Sequence, residues 1–435
     1  MGDNVFLILP GCDDTNRGDQ ALIWQTVRLA KAAGYEGSYY MLSEPEHCRQ
    51  SAAEGIGQLD YILHHPSARY TKHDNIHYGL GLKLKWALAA GLDLLTREPL
   101  AHKWSRRLLL PLYSKKTRKT LDYFRRAEAA FVKGGGFLHA YGGFADTYKI
   151  YFFLYHLRLA QSFGVKVYVM PNSFGPFKSP LVKGMIRNVL KKCPVVMARE
   201  SISQQMLREH CGIEAAVYAD LAFHLESDPD FDPYACLARK GIDCRNEKCV
   251  AITARPYRFS GEADGPGKYE AYKNALTEFA VWLDGNGYHP VLVEHVFSDM
   301  DHENDMTCLA EIAQRLEGRC RFSLFADRSL TSRQMKQIYG TFTHTVGTRF
   351  HSVIFSLASG VPSIAITYGG NKGDGIMADS GLQAYALPIH TVTAKKLIGA
   401  FQSMSGDAHR LRREISAAQE KLRQQQAQII DTIRK

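Results

Sequence analysis

Arg349, His351 and Lys372 fall close together near the C-terminal end, in the stretch 343–375. A guanidinium, an imidazole and an ammonium on one rim can hold a small phosphorylated or carboxylated anion and move a proton to or from it. Two apolar strand-like runs, 342–346 and 362–368, flank a short apolar helix over 351–357, which makes a β-α-β unit. In such a unit the residues between strand end and helix start sit at the carboxyl edge of the sheet, where open α/β folds bind ligands, and Arg349 and His351 occupy that edge. The second strand ends at Tyr368. A glycine-rich loop then presents Lys372 before another helical run, so backbone N–H groups at helix starts join the cations.

The elements that must position these residues form a long α/β alternation. A first strand over 5–10 leads through a loop into a helix over 20–33. That turn lacks G-x-G-x-x-G, which argues against NAD or FAD. Asn16, Arg17 and Asp19 fall at the helix start, where Asn16 or Asp19 can cap it. Arg17 is a cation at the positive end of a helix and is expected to meet an anion or a sugar hydroxyl. Strand 127–132 ends in Lys133-Gly134-Gly135-Gly136, whose glycines permit close approach of a ligand. Helix 147–163, strand 165–170, a rigid loop over 171–177, helix 181–192, strand 195–198 ending at Arg199, and a last strand 216–219 ending at Asp220 complete this half. His139 and Asp220 are further polar candidates at strand ends.

A boundary is expected within 226–246, rich in Asp, Pro and charge, before a new strand over 249–254 that ends at Arg255. The second half repeats the rhythm and closes in polar helices. The expected organisation is an N-terminal Rossmann-like domain over 1–230, a second over 247–400, and a helix over 401–435 that packs back. Two doubly wound halves with the active site in the cleft between them describe a glycosyltransferase-B-like architecture.

Composition sets outer limits. At 435 residues the chain exceeds one core, and 45% hydrophobic content is that of an ordinary globular protein. Nine irregularly spaced cysteines and no signal-length apolar run lead to the expectation of reduced thiols and a cytoplasmic location. The net charge of +10 is concentrated: 79–126 holds twelve Lys or Arg against three Asp or Glu, a net +9, interleaved with Leu and Trp. That is the pattern of a basic amphipathic helical excursion, either touching an anionic membrane or simply solvated. No nucleic-acid module accompanies it. Asp299 and Asp301 have the spacing of a metal-binding pair but most simply cap the helix that follows, and no metal is expected. His64, His65, His73 and His77 have no fixed metal spacing and read as surface residues.

Asn16-Arg17-Gly18-Asp19, Lys133-Gly134-Gly135-Gly136, Phe174-Gly175-Pro176-Phe177, Arg199-Glu200-Ser201, Gly347-Thr348-Arg349-Phe350-His351-Ser352, and Tyr368 to Lys372 with Gly375-Ile376-Met377 together resemble the polysaccharide pyruvyl transferases, closest to the colanic-acid branch of enterobacterial exopolysaccharide synthesis. The resemblance spans nearly the whole chain. It implies transfer of the pyruvate moiety of phosphoenolpyruvate onto two hydroxyls of one sugar, making a ketal and releasing phosphate, with no further cofactor. It also implies a lipid-linked oligosaccharide acceptor. Such chemistry suits His351 as the catalytic acid; Arg349, Arg199, Arg255, Lys372 and Tyr368 on the donor; and Asn16, Arg17, Asp19, Gly135, Gly136, His139 and Asp220 on the acceptor. Two other classes stay open, a nucleotide-sugar glycosyltransferase of the same fold and a non-catalytic polysaccharide- or lipid-binding protein.

Overall fold

Strand β1 (Val5–Leu9) is buried on both faces, and its residues sort alternately. Phe6 and Ile8 join one core with α1 (Arg17–Ala32), whereas Val5, Leu7 and Leu9 join the other. A strand between two cores has to be apolar throughout, as in a parallel sheet covered by helices on both sides. The computed structural model describes residues 4–65, 79–259, 262–369 and 371–435. His73, His77 and Gly370 lie outside them.

After α1 come β2 (Ser38–Leu42), α2 (Arg49–Ala53), β3 (Ile56–Leu59) and a helical arm of α3 (Leu80–Arg97), α4 (Lys103–Leu109) and α5 (Lys115–Arg126). The alternation resumes with β4 (Ala127–Val132), β5 (Gly135–Ala140), α6 (Phe144–Ser162), β6 (Lys166–Phe177), α7 (Pro180–Leu190), β7 (Val195–Ala198), α8 (Ser201–Cys211) and β8 (Ala216–Val217). These strands form one eight-stranded sheet ordered β3-β2-β1-β4-β6-β7-β8, with β5 added on β6, and every pairing is parallel.

The second half runs α9 (Pro233–Ala238), β9 (Cys249–Thr253), α10 (Gly265–Gly285), β10 (His289–Val293), α11 (Asp305–Leu316), β11 (Ser323–Phe325) and α12 (Ser332–Tyr339). It continues with β12 (His344–Gly347), α13 (Phe350–Ala358), β13 (Ser363–Thr367), α14 (Lys372–Asp379), β14 (Ala386–Pro388), α15 (Ala394–Gly406) and α16 (Ala408–Ile433). Its six strands are ordered β11-β10-β9-β12-β13-β14, again all parallel.

The segment 171–177, expected as a loop, is instead the second half of β6. Its turn-like composition is overridden because β5 pairs alongside it, Gly135 with Asn172 and Ala140 with Phe177. The cap expected at Asp299 or Asp301 is supplied by Asn304, whose side chain accepts from Met306 N.

The two sheets are stitched at several points. Phe297 N donates to Thr15 O at 3.1 Å, Ser332 N to Gln20 Oε1 at 2.8 Å, and Asn371 Nδ2 to Phe174 O at 2.7 Å. The chain then crosses back to the first half, where Gln425 accepts from Ala219 N and Lys435 N donates to Ala33 O.

Candidate active site

The carboxyl ends of β1, β4 and β6 face those of β9, β12 and β13 across a cleft of about 670 Å³. Both strand-order reversals, β1/β4 and β9/β12, open into it, which is where doubly wound sheets leave room for a ligand.

His351 stands in the first turn of α13, at the wall of this cleft. Its ring presses on the start of α1 so closely that a Cβ on Gly18 would lie 1.8 Å from Nδ1. Only glycine fits there. Nε2 lies 3.7 Å from Asp220 Oδ2 and 3.2 Å from Lys372 Nζ. Burial, and then the Lys372 charge, push the imidazole down to about 4 against the opposing pull of Asp220. In the free protein near pH 7 the imidazole is therefore neutral. The group that changes charge near pH 7 is Lys372, pushed down to about 7 by burial and then by Arg199, with Asp220 and Asp19 opposing.

Four Lys or Arg side chains line the cleft, and three are already paired. Lys133 Nζ donates to Asp19 Oδ1 at 2.5 Å. Arg255 reaches Glu303 at 3.3 Å and donates to Tyr368 Oη at 2.9 Å. Arg349 donates from Nε to Asp305 Oδ1 at 2.6 Å, from Nη2 to Glu303 O at 2.6 Å, and from Nη1 to Glu303 Oε2 at 3.3 Å. Three of its five N–H donors are therefore engaged by the protein, and the fork expected to be free for a donor is largely committed. Among the described residues Lys372 makes no ion pair. It opens α14, and neither α14 nor α13 has a side-chain cap, so backbone N–H groups at two helix starts turn toward the same place.

Three expected contact residues lie elsewhere. Arg17 does not line the cleft: it is buried, donating to Asp14 O at 3.1 Å, Gln50 Oε1 at 3.1 Å and Arg328 O at 2.7 Å, with its guanidinium over the Phe297 ring. The cation at the helix start meets carbonyls of both halves rather than an anion. Arg199 and Asp220 form a solvent-free ion pair at 2.6 Å, one layer beneath the cleft. Arg199 Nε donates to Ser173 Oγ at 2.6 Å, while Nη2 has no partner and lies 2.7 Å from where a Gly136 Cβ would be. Neither side chain is exposed to the cleft; Asp220 Oδ2 lies 3.7 Å from His351 Nε2, and the Arg199 charge bears on Lys372. Burial alone would raise the Asp220 carboxyl, but Arg199 and His351 hold it well below the usual carboxylate range.

The other sequence candidates come together. Asn16 caps α1, accepting from Gly18 N and Asp19 N, and also lines the cleft with Asp19, Gly135, Gly136 and Tyr368. His139 joins them with Nδ1 donating to Gly136 O at 2.9 Å and Nε2 accepting from Lys149 at 2.9 Å. That tautomer is neutral, as burial and then Lys149 push the ring down to about 4. Among the described residues no three His, Cys, Asp or Glu gather as metal ligands.

Residues 16–370 match the family model described as Polysaccharide pyruvyl transferase. The chain belongs to that family. It is thereby a transferase, as its motifs lead one to expect. Amylovoran biosynthesis protein AmsJ of Erwinia amylovora is 23% identical over 308 residues, 69% of this chain and 71% of that protein. Among solved structures, HepE of Anabaena, in complex with UDP and glucose, is similar with a TM-score of 0.55 at 11% identity, covering 99% of this chain and 98% of that one. UGT2 of Phytolacca americana, with UDP-2-fluoro-glucose and pterostilbene, gives 0.53 at 11% identity, covering 99% and 98%. A putative UDP-N-acetylglucosamine 2-epimerase of Listeria monocytogenes gives 0.52 at 11%, covering 95% and 91%. At that identity the likeness is one of fold, and the fold is glycosyltransferase-B-like.

This pyruvyl transferase family member also has cleft residues that sequence reasoning passed over. Lys133 was visible, since it precedes three glycines at a strand end, but only the glycines drew attention. Glu303 and His295 sit in and beside the loop after β10, where nothing local marks them as facing the cleft. His295 is buried with Nε2 unpartnered. Tyr257 packs tilted against Tyr368, with ring centroids 5.4 Å apart, and was likewise unmarked.

Proposed function

We propose that this chain transfers the pyruvyl group of phosphoenolpyruvate onto two hydroxyls of one sugar in an exopolysaccharide repeat unit, closing a cyclic ketal and releasing phosphate. The observation that most supports this is that Lys372, among the described residues the one cleft cation without an ion pair, stands at the uncapped start of α14, 3.2 Å from the imidazole of His351. A phosphate seated there meets an ammonium and backbone N–H groups, and its enol carbon lies beside a titrating pair.

The balance of the reaction assigns the roles. A proton from the Lys372–His351 pair adds to C3 of the enol, leaving cationic character at C2 that the first sugar hydroxyl attacks. Negative charge brought in by the donor raises the proton affinity of both groups, so His351 becomes able to carry the proton that Lys372 holds in the free site. Phosphate then leaves C2 with the first hydroxyl's proton. The second hydroxyl closes the ring and returns its proton to the pair. Arg255, Arg349 and Tyr368 orient the donor from the C-terminal wall. Asn16, Asp19, Gly135, Gly136 and His139 receive the sugar on the other. The relative AmsJ is named for amylovoran biosynthesis, and the acceptor proposed here is a lipid-linked oligosaccharide at the cytoplasmic leaflet.

The test is incubation with phosphoenolpyruvate and a repeat-unit oligosaccharide. Release of inorganic phosphate in step with a product heavier by one pyruvate ketal is expected. Consumption of a nucleotide sugar with no phosphate released from phosphoenolpyruvate would reject the reading in favour of glycosyl transfer.

A further inference from the structure

Among the described residues fourteen large apolar side chains are exposed, and nine of them lie between Leu80 and Leu112, on the helical arm. Helix α3 carries Leu80, Leu84, Leu88, Leu92 and Leu95, spaced by four, four, four and three residues, which makes one stripe along a helix. Leu80, Leu88 and Leu95 are each at least 75% exposed. Trp104 and Leu108, one turn apart on α4, and Leu112 beyond it extend the apolar surface. Singly exposed leucines are ordinary, but a contiguous stripe is a docking face.

The stripe is not a core face turned outward by loose packing. The opposite side of α3 is anchored on α6: Tyr148 Oη donates to Asp93 Oδ2 at 3.1 Å, and Tyr155 Oη donates to Arg97 O at 2.7 Å. Just beyond α3, Arg158 pairs with Glu98. These bonds fix which side of the helix faces out. The same helix α6 places Phe153 in the cleft wall, so the arm is seated directly on the catalytic domain.

Charge identifies the occupant. Lys83, Lys85, Lys103, Arg107, Lys115, Lys116, Arg118 and Lys119 are all exposed around the apolar surface. Asp93 is buried, and Glu98 and Asp122 are engaged by Arg158 and Arg125. A second copy of so basic a face would be repelled, whereas an anionic lipid surface is complementary to it. No helix is long and apolar enough to cross a membrane among the described residues, which leaves the interface itself.

We propose that the arm formed by α3, α4 and α5 docks the protein on an anionic membrane leaflet, with the leucine stripe and Trp104 entering the interfacial zone and the flanking lysines and arginines meeting lipid phosphates. Arg106 takes no part. It is buried, donates to Leu100 O at 2.9 Å and Ser162 Oγ at 2.6 Å, and lies over the Phe163 ring at 3.6 Å. The inference does not depend on pyruvyl transfer, because it is read without any substrate.

The experiment is vesicle sedimentation of the full chain, with phosphatidylcholine vesicles and with vesicles containing phosphatidylglycerol. Sedimentation with the anionic vesicles is expected. Leu84→Gln/Leu88→Gln/Trp104→Gln, all at exposed positions and checked by unchanged melting, should lower the vesicle partition coefficient about tenfold or more at every salt concentration. Lys115→Gln/Arg118→Gln/Lys119→Gln should lower it at low salt and leave a weaker, salt-insensitive remainder. Parent protein that stays in the supernatant, or a leucine variant that sediments like the parent, would overturn the proposal. So would leucine substitutions that abolish a dimer seen by analytical ultracentrifugation while leaving vesicle binding intact.

Discussion

Donor binding should take up a proton, and Lys372 fixes how much. Its ammonium, with a solution value of 10.5, is held at about 7 in the free cleft. At pH 8 roughly a tenth of the free molecules therefore carry that proton. A phosphate oxygen about 4 Å away, at an effective dielectric of about 20, favours the charged form by about 4 kcal/mol, or roughly three pH units. The bound protein is then almost fully protonated, and uptake approaches roughly 0.9 proton per phosphoenolpyruvate at pH 8. Calorimetric titration in two buffers of different ionisation enthalpy reads this number directly. Lys372→Met should remove the uptake and most of the donor affinity. It should also change stability in a defined direction. A lysine whose folded value is depressed lets the unfolded chain bind more protons between about pH 7 and 10.5, so its contribution to stability rises with pH across that window. At pH 6 the parent bears the full burden, at most about 5 kcal/mol and less because the cleft is open to water. Lys372→Met should thus be the more stable protein at pH 6, with the advantage fading toward pH 10. Zero uptake in the parent, or uptake that persists in Lys372→Met, would refute the assignment.

His351→Gln should keep donor binding and fold while turnover falls at least about a hundredfold, measured as phosphate release, because the proton path to the enol carbon is cut. Gly18→Ala places a methyl 1.8 Å from His351 Nδ1 and should cost turnover through a displaced ring, with α1 still formed by circular dichroism. Asp220→Asn breaks a solvent-free ion pair and leaves Arg199 with only the more distant Glu200 carboxylate at 3.5 Å, so chemical denaturation should show a loss of at most about 3–5 kcal/mol.

The sequence made the framework of the cleft legible because strand ends announce themselves locally. An apolar run that stops at Gly347-Thr348-Arg349 and restarts as a helix places Arg349 and His351 at a sheet edge with no knowledge of the rest. Their partners are another matter. Arg349 is neutralised by Asp305, Arg199 by Asp220, and Arg17 is spent on the carbonyl of Arg328, each a non-local contact set by how the two sheets meet. A cation's type and edge position do not say whether a carboxylate waits opposite. The titration behaviour of His351 was hidden for the same reason, since it depends on burial against Gly18 and on Lys372. β5 and the second half of β6 escaped notice because glycines and prolines there obey their sheet partners rather than local propensity.

Pairing most of the cations has a consequence for how the cleft selects its ligand. Unneutralised guanidinium and ammonium groups held together at two strand edges would repel one another and weaken the contact between the halves. Asp19, Glu303 and Asp305 remove that repulsion but also remove most of the field that would attract an arbitrary anion. Among the described residues what remains is one ammonium, that of Lys372, whose charge is itself marginal near neutral pH. A neutral sugar gains nothing from it, and a weakly charged ion gains little, because the lysine has to be protonated at a cost before it can pay out in attraction. A ligand carrying a phosphate and a carboxylate supplies enough charge to hold that proton in place and engages the uncapped starts of α13 and α14 as well. If the donor is the phosphoenolpyruvate proposed above, its selection follows from the near-neutral balance of the cleft rather than from an excess of positive charge.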